Sequence, residues 1–287
     1  MTVWHAIFQA GFFENPAVRT AAIVGLVVGC VCAPVGVFTV IRSQSFAGHA
    51  LADITSTGGS AAVVTGINPL VGFAAMGLLG AGAIEMSSAQ RHRGRDISTG
   101  VVLGASLGLS ALFLYLSTSG GTASGTVVTV LFGSIFAVSA GTMPLVVALG
   151  ALALTLVGIV YRPLLLSSLS SDLAVALGVR VRLVGLVYMV ALALSVAVCA
   201  VTIGAILSTA LLIGPAATAL RVTRSTRAAI CCAAVLGILA TWAGILLAYD
   251  SYDWPPHRSG WPVSFFVVVL VLCGYVIAHL ARRPRRR

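Results

Sequence analysis

Residues 183–202 read LVGLVYMVALALSVAVCAVT, an apolar stretch with no charged side chain. A helix of this length, rising about 1.5 Å per residue, reaches about 30 Å, which is the thickness of the hydrocarbon core of a bilayer. The stretch begins directly after Arg180 and Arg182. It therefore predicts a helix that crosses a membrane, with a basic flank at one end.

The same pattern recurs along the chain, which has 287 residues, 59% hydrophobic and only 8% charged, whereas soluble domains carry about a quarter charged residues. Apolar segments of spanning length lie at residues 18–41, 47–66, 70–90, 97–116, 142–161, 183–202, 205–220, 228–249 and 262–281. A further stretch at 123–138 is too short to span comfortably and predicts a re-entrant or interfacial helix. We expect an all-α, polytopic bundle of about nine transmembrane helices in a single membrane domain over residues 1–287, without a cleavable signal peptide.

All 17 basic residues are arginine. The absence of lysine excludes a Walker-type phosphate loop, so any ATP hydrolysis must belong to a separate chain and this chain is not an enzyme. The arginines lie between apolar segments and form no soluble basic face, which excludes a nucleic-acid partner despite the net charge of +10.

The arginines also predict the orientation of the chain in the cell (inner) membrane. If the tail from Arg282 to Arg287 is cytoplasmic, every other arginine except Arg19 and Arg258 is cytoplasmic as well. The opposite orientation would invert this distribution, so the positive-inside rule predicts a multi-pass protein with a cytoplasmic C-terminus.

The cytoplasmic segment from Arg162 to Arg182 contains a helix signal of its own. Ser171 is a candidate cap, Asp172 suits a first turn, and Gly178 can close the helix. The residues between them include Leu173, Ala174 and Leu177. This pattern predicts a short helix at the membrane surface, which either binds a partner subunit or is an ordinary interfacial helix.

Polar side chains recur on one face of the second apolar segment, namely Ser45, His49, Asp53, Ser56 and Ser60. A polar stripe in a membrane helix must face protein or water. His49 and Asp53 are one turn apart, so imidazole nitrogen and carboxylate oxygen can converge on one ion, and this donor set suits Zn²⁺ or Mn²⁺. Two other roles stay open: a hydrogen bond that pins neighbouring helices, and a proton relay.

Two further features have weaker signals. Gly214 and Pro215 interrupt an apolar segment, where a kink can be a gating hinge or a simple bend. The predicted external loop from Tyr249 to Trp261 carries Asp250, Asp253 and His257. These three side chains can take part in metal handover or belong to a solvated loop with an aromatic belt.

Four separated stretches carry a resemblance to a known family: GHALAD at 48–53, LFG at 131–133, SDLAVALGV at 171–179 and ALLIGPAA at 210–217. On these residues, and over nearly its whole length, the chain resembles the membrane permease subunits of the zinc/manganese/iron-chelate ABC importer family. The resemblance implies a homodimer with the ion path between its subunits. It also implies cytoplasmic ATP-binding subunits that grip residues 162–180, and an extracytoplasmic metal-binding protein.

The resemblance also assigns roles to residues. The family pattern on the second helix is G-[DE]-A-[LI]-S-H, so His49 stands in the acidic position and Asp53 in the histidine position, and two copies would supply an N₂O₂ set. Ser45, Ser56 and Ser60 would line the path, Asp172, Leu173, Ala174, Leu177 and Gly178 would couple to the ATPase, and Gly214 with Pro215 would form the hinge. No cofactor would stay bound, since Zn²⁺ or Mn²⁺ passes transiently. The alternatives are an ion-coupled secondary metal transporter and an ABC-type metal exporter.

Overall fold

Helices account for nearly all regular structure in the part of the chain that the computed structural model describes, residues 15–87, 92–119, 130–133, 135–139, 141–205, 207–251 and 260–281. The helices are α1 (Pro16–Ile41), α2 (Ser45–Thr65), α3 (Pro69–Ser87), α4 (His92–Ser119), α5 (Met143–Leu169), α6 (Ser171–Ala176), α7 (Val181–Ile203), α8 (Ser208–Val222), α9 (Thr226–Asp250) and α10 (Val263–Ala281). The prediction of an all-α chain with several membrane spans is confirmed.

Local sequence explains several helix ends. Asn15 caps α1 by accepting a hydrogen bond from the Ala17 backbone N–H at 3.0 Å, and Pro16 occupies the first turn, where its missing N–H costs nothing. Ser225 caps α9 in the same way. At the other end of α2, Gly66 adopts a left-handed conformation with φ +71° that favours glycine.

Fewer helices of the described part are long and apolar enough to span a bilayer than the predicted number of about nine. Among the described residues, six helices are long and apolar enough to cross a bilayer: α1, α4 (over Gly100–Ser117), α5, α7, α9 and α10. The apolar parts of α3 and α8 are shorter, at Pro69–Glu85 and Ser208–Val222. Helix α2 has 21 residues but falls outside both groups because its serines, threonines, His49 and Asp53 lower its hydropathy along its whole length.

Two helices form the centre of the bundle. The apolar windows of α1 and α7 are 67% and 78% buried, whereas those of α4, α5, α9 and α10 are at most 28% buried. Helix α2 packs on α3, α4 and α7. The helix that carries the polar stripe is thus held by protein on several sides.

The short apolar stretch at 123–138 is described only at 130–133 and 135–138, and its other residues lie outside the described part. Ile135–Ala137 form one 3₁₀ turn. Gly133, at φ +71°, packs backbone to backbone against Gly204, which has φ +95° and ends α7. The Ala205 N–H donates to the Val130 carbonyl oxygen at 3.4 Å. This contact accompanies the break between α7 and α8.

Helices α2 and α3 meet through a pair of glycines. A Cβ atom on Gly58 would lie 2.0 Å from the Gly72 carbonyl oxygen, and a Cβ on Gly72 would lie 2.2 Å from the Gly58 carbonyl oxygen. Side chains at either position would force the two backbones apart, so glycine sets the distance between these helices.

We expect Gly72→Ala to destabilise the protein by about 2 kcal/mol, because the new methyl group meets backbone that cannot move aside. Thermal unfolding of the detergent-solubilised protein measures the effect as a lower midpoint. Gly82→Ala on the same helix is the matched control, since its Cβ would have no neighbour within 4 Å. Equal midpoints for the two variants would contradict the tight α2–α3 contact.

Candidate metal site and coupling helix

His49 and Asp53 converge near the start of α2. His49 Nε2 lies 3.7 Å from Asp53 Oδ2, which is too long for a hydrogen bond. Two ligands that each lie about 2.1 Å from one cation at a tetrahedral angle are about 3.4 Å apart, close to this spacing. The spacing therefore suits two ligands of one ion and equally an ion pair within α2, and the ligand role stays a prediction.

The two side chains differ in exposure. The His49 side chain is 51% exposed and that of Asp53 is 15% exposed. His49 lines a groove of about 410 Å³. The other lining residues come from α8 and α10: Thr209, Ala210, Ile213, Gly214, Val268, Val271, Leu272 and Tyr275. The imidazole is thus open to an approaching ion or to a second protein surface, while the carboxylate lies deeper.

One end of this groove is fixed by a polar contact. The Arg221 guanidinium donates from Nη2 to the Tyr275 hydroxyl at 3.0 Å and lies 5.1 Å from the centre of its ring. The His279 ring stacks on the Tyr275 ring, with ring centres 6.3 Å apart. Tyr275 is therefore held in one orientation beside the groove.

The serines of the polar stripe have partners inside the chain. Ser56 and Ser60 are buried, and each Oγ lies 3.3 Å from Ser110 Oγ on α4. Thr57 adds a hydrogen bond to the Ser106 carbonyl oxygen of the same helix at 2.7 Å. Ser45 is partly exposed at the first position of α2. Ser56 and Ser60 thus face protein, while the path-lining role of all three serines stays a prediction.

Gly214 and Pro215 lie within a continuous helix. Pro215 sits in the interior of α8, and the Thr218 hydroxyl donates to the Gly214 carbonyl oxygen at 2.8 Å. A Cβ on Gly214 would lie 2.1 Å from Val271 Cγ1 of α10, so this glycine sets the distance between the two helices that line the groove. The hinge role stays a prediction.

Helix α6 forms where the cytoplasmic helix is predicted. Ser171 is not its cap: Ser170, one residue earlier, has an extended backbone and accepts from the Leu173 N–H at 3.3 Å. Asp172 lies in the first turn, and Gly178 ends the segment at φ +79°. Ser170 also ends α5, so α5 and α6 are joined through a single residue.

The side chains of this segment divide into two groups. Leu173, Val175 and Leu177 are more than half exposed, at 52%, 62% and 64%. Ala174 is fully buried against the rest of the chain. Three exposed apolar side chains thus lie within five residues, and the coupling role of this segment stays a prediction.

The described residues contain no group of three or more potential metal ligands from His, Cys, Asp and Glu. Asp250 is the last residue of α9, while Asp253 and His257 lie outside the described part of the chain, so the predicted handover loop stays a prediction. Two ligands from one copy give an incomplete coordination shell.

The family model described as "ABC 3 transport family" matches residues 14–277. The chain belongs to this family. The predicted family is confirmed, and with it a multi-pass transport subunit of the cell membrane that is not itself an enzyme.

Curated members of the ABC 3 transport family match most of this chain. The manganese import system permease protein ScaB of Streptococcus gordonii is 29% identical over 280 residues, which cover 98% of each chain. The ScaB of Streptococcus parasanguinis is 30% identical over 85% of each chain. The high-affinity zinc uptake system membrane protein ZnuB of Haemophilus influenzae is 26% identical over 88% of this chain and 95% of its own.

Solved structures support the same relationship. A chain of PsaBC from Streptococcus pneumoniae in complex with Fab superimposes with a TM-score of 0.81 at 26% identity, covering 96% of this chain and 95% of that one. A metal-chelate type ABC transporter in an inward-facing conformation shares the fold at 18% identity, with a TM-score of 0.73.

Sequence reasoning about this ABC 3 family member missed several residues that shape the site. Gly204 and Tyr275 lack a distinctive local pattern, and their positions depend on helices far along the chain. Arg42 was interpreted only as an orienting charge, although its side chain makes specific contacts. The available signal for these contacts is the position of Arg42, a charged residue in the three-residue turn that leads into α2, the helix of His49.

Proposed function

We propose that this chain is the membrane-spanning subunit of an ATP-binding-cassette importer that carries Mn²⁺ or Zn²⁺ into the cytoplasm. Relatives that match up to 98% of its length are named as manganese import or zinc uptake proteins. The observation that carries the choice of cargo is the His49–Asp53 pair, whose imidazole lines a groove and lies 3.7 Å from the deeper carboxylate. Mixed nitrogen and oxygen donors suit both metals.

A homodimer would complete the site. Two α2 helices facing each other across a twofold axis would bring two imidazoles and two carboxylates to one ion. His49 is half exposed, which leaves it accessible to the second copy. Such an N₂O₂ set would hold the ion only during passage, because a transport site must also release it.

ATP hydrolysis would belong to cytoplasmic subunits that contact α6. The exposed apolar side chains of α6 support this assignment, as does the lack of a lysine for a phosphate loop. An extracytoplasmic metal-binding protein would deliver the ion. ATP binding would close the partner subunits, α6 would move with them, and the paired α2 helices would open or close around the ion.

The topology follows from the arginines. With a cytoplasmic C-terminus, the helices other than α6 would alternate across the bilayer, and this set includes the polar α2 and the shorter apolar segments of α3 and α8. The hydrogen bond from Arg42 Nη1 to Ser167 Oγ, at 3.0 Å, agrees with the alternation because it puts the ends of α1 and α5 on the same side of the bilayer, and the arginines give the orientation.

Two rival functions differ from this proposal, one in the energy source and the other in the direction of transport. An ion-coupled secondary metal transporter would need no ATPase, and membership in an ABC transport family argues against it. An ABC-type exporter would move the ion outward, whereas the relatives are named for import or uptake.

Reconstitution tests the proposal. Proteoliposomes containing this chain and its ATP-binding subunit, supplied with the binding protein, should accumulate labelled Mn²⁺ or Zn²⁺ only when ATP is present on the cytoplasmic side. Competition between the two metals identifies the cargo. Uptake that follows a proton gradient without ATP, or no movement of either metal, would contradict the proposal.

A further inference from the structure

Arg42 links two functional helices that are distant in sequence. Its Nη1 donates to Ser167 Oγ at 3.0 Å, across a separation of 125 residues. Ser167 lies near the end of α5, three residues before Ser170, the joint to α6. Arg42 itself is in the short turn that leads into α2, the helix of His49 and Asp53.

Both sides of this link are stiff. Ser170 completes α5, because its N–H bonds the Leu166 carbonyl oxygen at 3.1 Å, and also starts α6, because its carbonyl oxygen accepts from the Ala174 N–H at 3.1 Å. A displacement of α6 is therefore passed directly to the end of α5. No flexible loop lies between them.

The turn between α1 and α2 is equally constrained. Ser43 has φ +54°, a left-handed conformation that is unusual for a residue with a side chain. The Gln44 N–H bonds the Thr39 carbonyl oxygen at 2.9 Å, and the Gln44 carbonyl oxygen accepts from the Gly48 N–H at 3.0 Å. The turn is thus bonded to the end of α1 and to the first turn of α2, so it moves as one unit with the residue next to His49.

A buried tyrosine holds the guanidinium in place. Arg42 Cζ lies 5.6 Å from the centre of the Tyr188 ring, within the range of a cation–π contact. Tyr188 on α7 is fully buried, and its hydroxyl lies 2.6 Å from Thr39 Oγ1 and 3.1 Å from the Val35 carbonyl oxygen. Arg42 also donates from Nε to Gln44 Oε1 at 3.4 Å. The planar fork thus reaches α5, the turn and the ring of α7 together.

We propose that Arg42 is a coupling residue that transmits movement of α6 to α2, and with it to the metal ligands. This inference rests on the proposed function. Arg42 would position α2 and would not contact the ion. Lysine cannot replace it, because an ammonium has neither the planar fork nor the flat face that makes the three contacts at once.

The test measures metal uptake and ATP hydrolysis in the same proteoliposomes, with the complete complex. We expect Arg42→Ala and Arg42→Lys to keep ATP hydrolysis while the number of ions moved per ATP falls about ten-fold, a typical size for a coupling between sites. Ser167→Ala should lower the same ratio, and the double variant Arg42→Ala/Ser167→Ala should be no worse than Arg42→Ala alone.

Arg227→Ala is the matched control, because Arg227 is an exposed arginine in the first turn of α9, outside the segment 162–180 that the ATP-binding subunits would contact. It should leave the ratio unchanged. A normal ratio in Arg42→Lys would show that only the charge matters and would overturn the proposal, as would a proportional loss of uptake and hydrolysis in Arg42→Ala. Failure of the wild-type complex to move metal would instead count against the proposed function.

Discussion

Replacing either His49 or Asp53 with alanine is expected to reduce the rate of ATP-driven metal uptake by about 100-fold or more. Loss of even an outer-shell contact lowers metal affinity by about 10- to 100-fold, and in the proposed dimer each substitution would remove two direct ligands. Assembly with the ATP-binding subunit should be unaffected, because neither side chain lies on α6. The measurement is initial uptake of labelled Mn²⁺ and Zn²⁺ in proteoliposomes, with the amount of assembled complex determined in parallel.

His279→Ala is the matched control for this prediction. His279 is an exposed histidine near the end of α10 that contacts Tyr275 but not Asp53. Tyr275 keeps its contacts with Arg221 in this variant, so uptake should stay close to wild type. Normal uptake in the His49→Ala variant would show that the imidazole is not a ligand on the path.

An exchange variant separates ligand chemistry from position. His49→Asp combined with Asp53→His keeps one imidazole and one carboxylate a turn apart, and it gives the order found in the family pattern. We expect this double variant to retain uptake, whereas His49→Asp alone leaves two carboxylates in each copy and loses most of it. If both variants were equally inactive, uptake would depend on which side chain occupies each of positions 49 and 53, and not only on having one imidazole and one carboxylate.

Replacing Leu173 with aspartate is expected to separate the chain from its ATP-binding subunit. Leu173 is 52% exposed at the outer face of α6, so the substitution leaves the fold of the chain intact. In the proposed contact, the aspartate would replace a buried apolar side chain with an unpaired carboxylate. This change costs about 3 kcal/mol of binding free energy, which corresponds to roughly a hundred-fold weaker binding. Co-purification with a tagged ATP-binding subunit measures the loss, and uptake should disappear with it.

The control is Leu280→Asp, which places the same charge at an exposed leucine near the end of α10, away from α6. This variant should still co-purify with the ATP-binding subunit. Ala174→Leu offers a contrast, since Ala174 is fully buried and a larger side chain there should destabilise the chain itself. Retention of the ATP-binding subunit by Leu173→Asp would exclude α6 as the docking helix.

The sequence by itself determined the features that depend on residues close together in the chain. Hydropathy over about 20 residues identifies membrane helices, and the i, i+4 spacing of His49 and Asp53 places them on one face of a helix. The short helix α6 was predictable for the same reason, since a cap, an acidic first turn and a closing glycine lie within nine residues. Even there the cap is Ser170 and not Ser171, because the extended backbone that capping requires is fixed by the end of α5.

Only the tertiary structure decided which side chains share a surface. It places Ser56 and Ser60 against Ser110 of α4, opens His49 onto a groove made by α8 and α10, and joins Arg42 to Ser167. The partners in these contacts are about 50 or more residues apart, so no local pattern in the sequence encodes them. They arise from close helix packing at glycines such as Gly58 and Gly72, where the absence of a side chain fixes how near two backbones come.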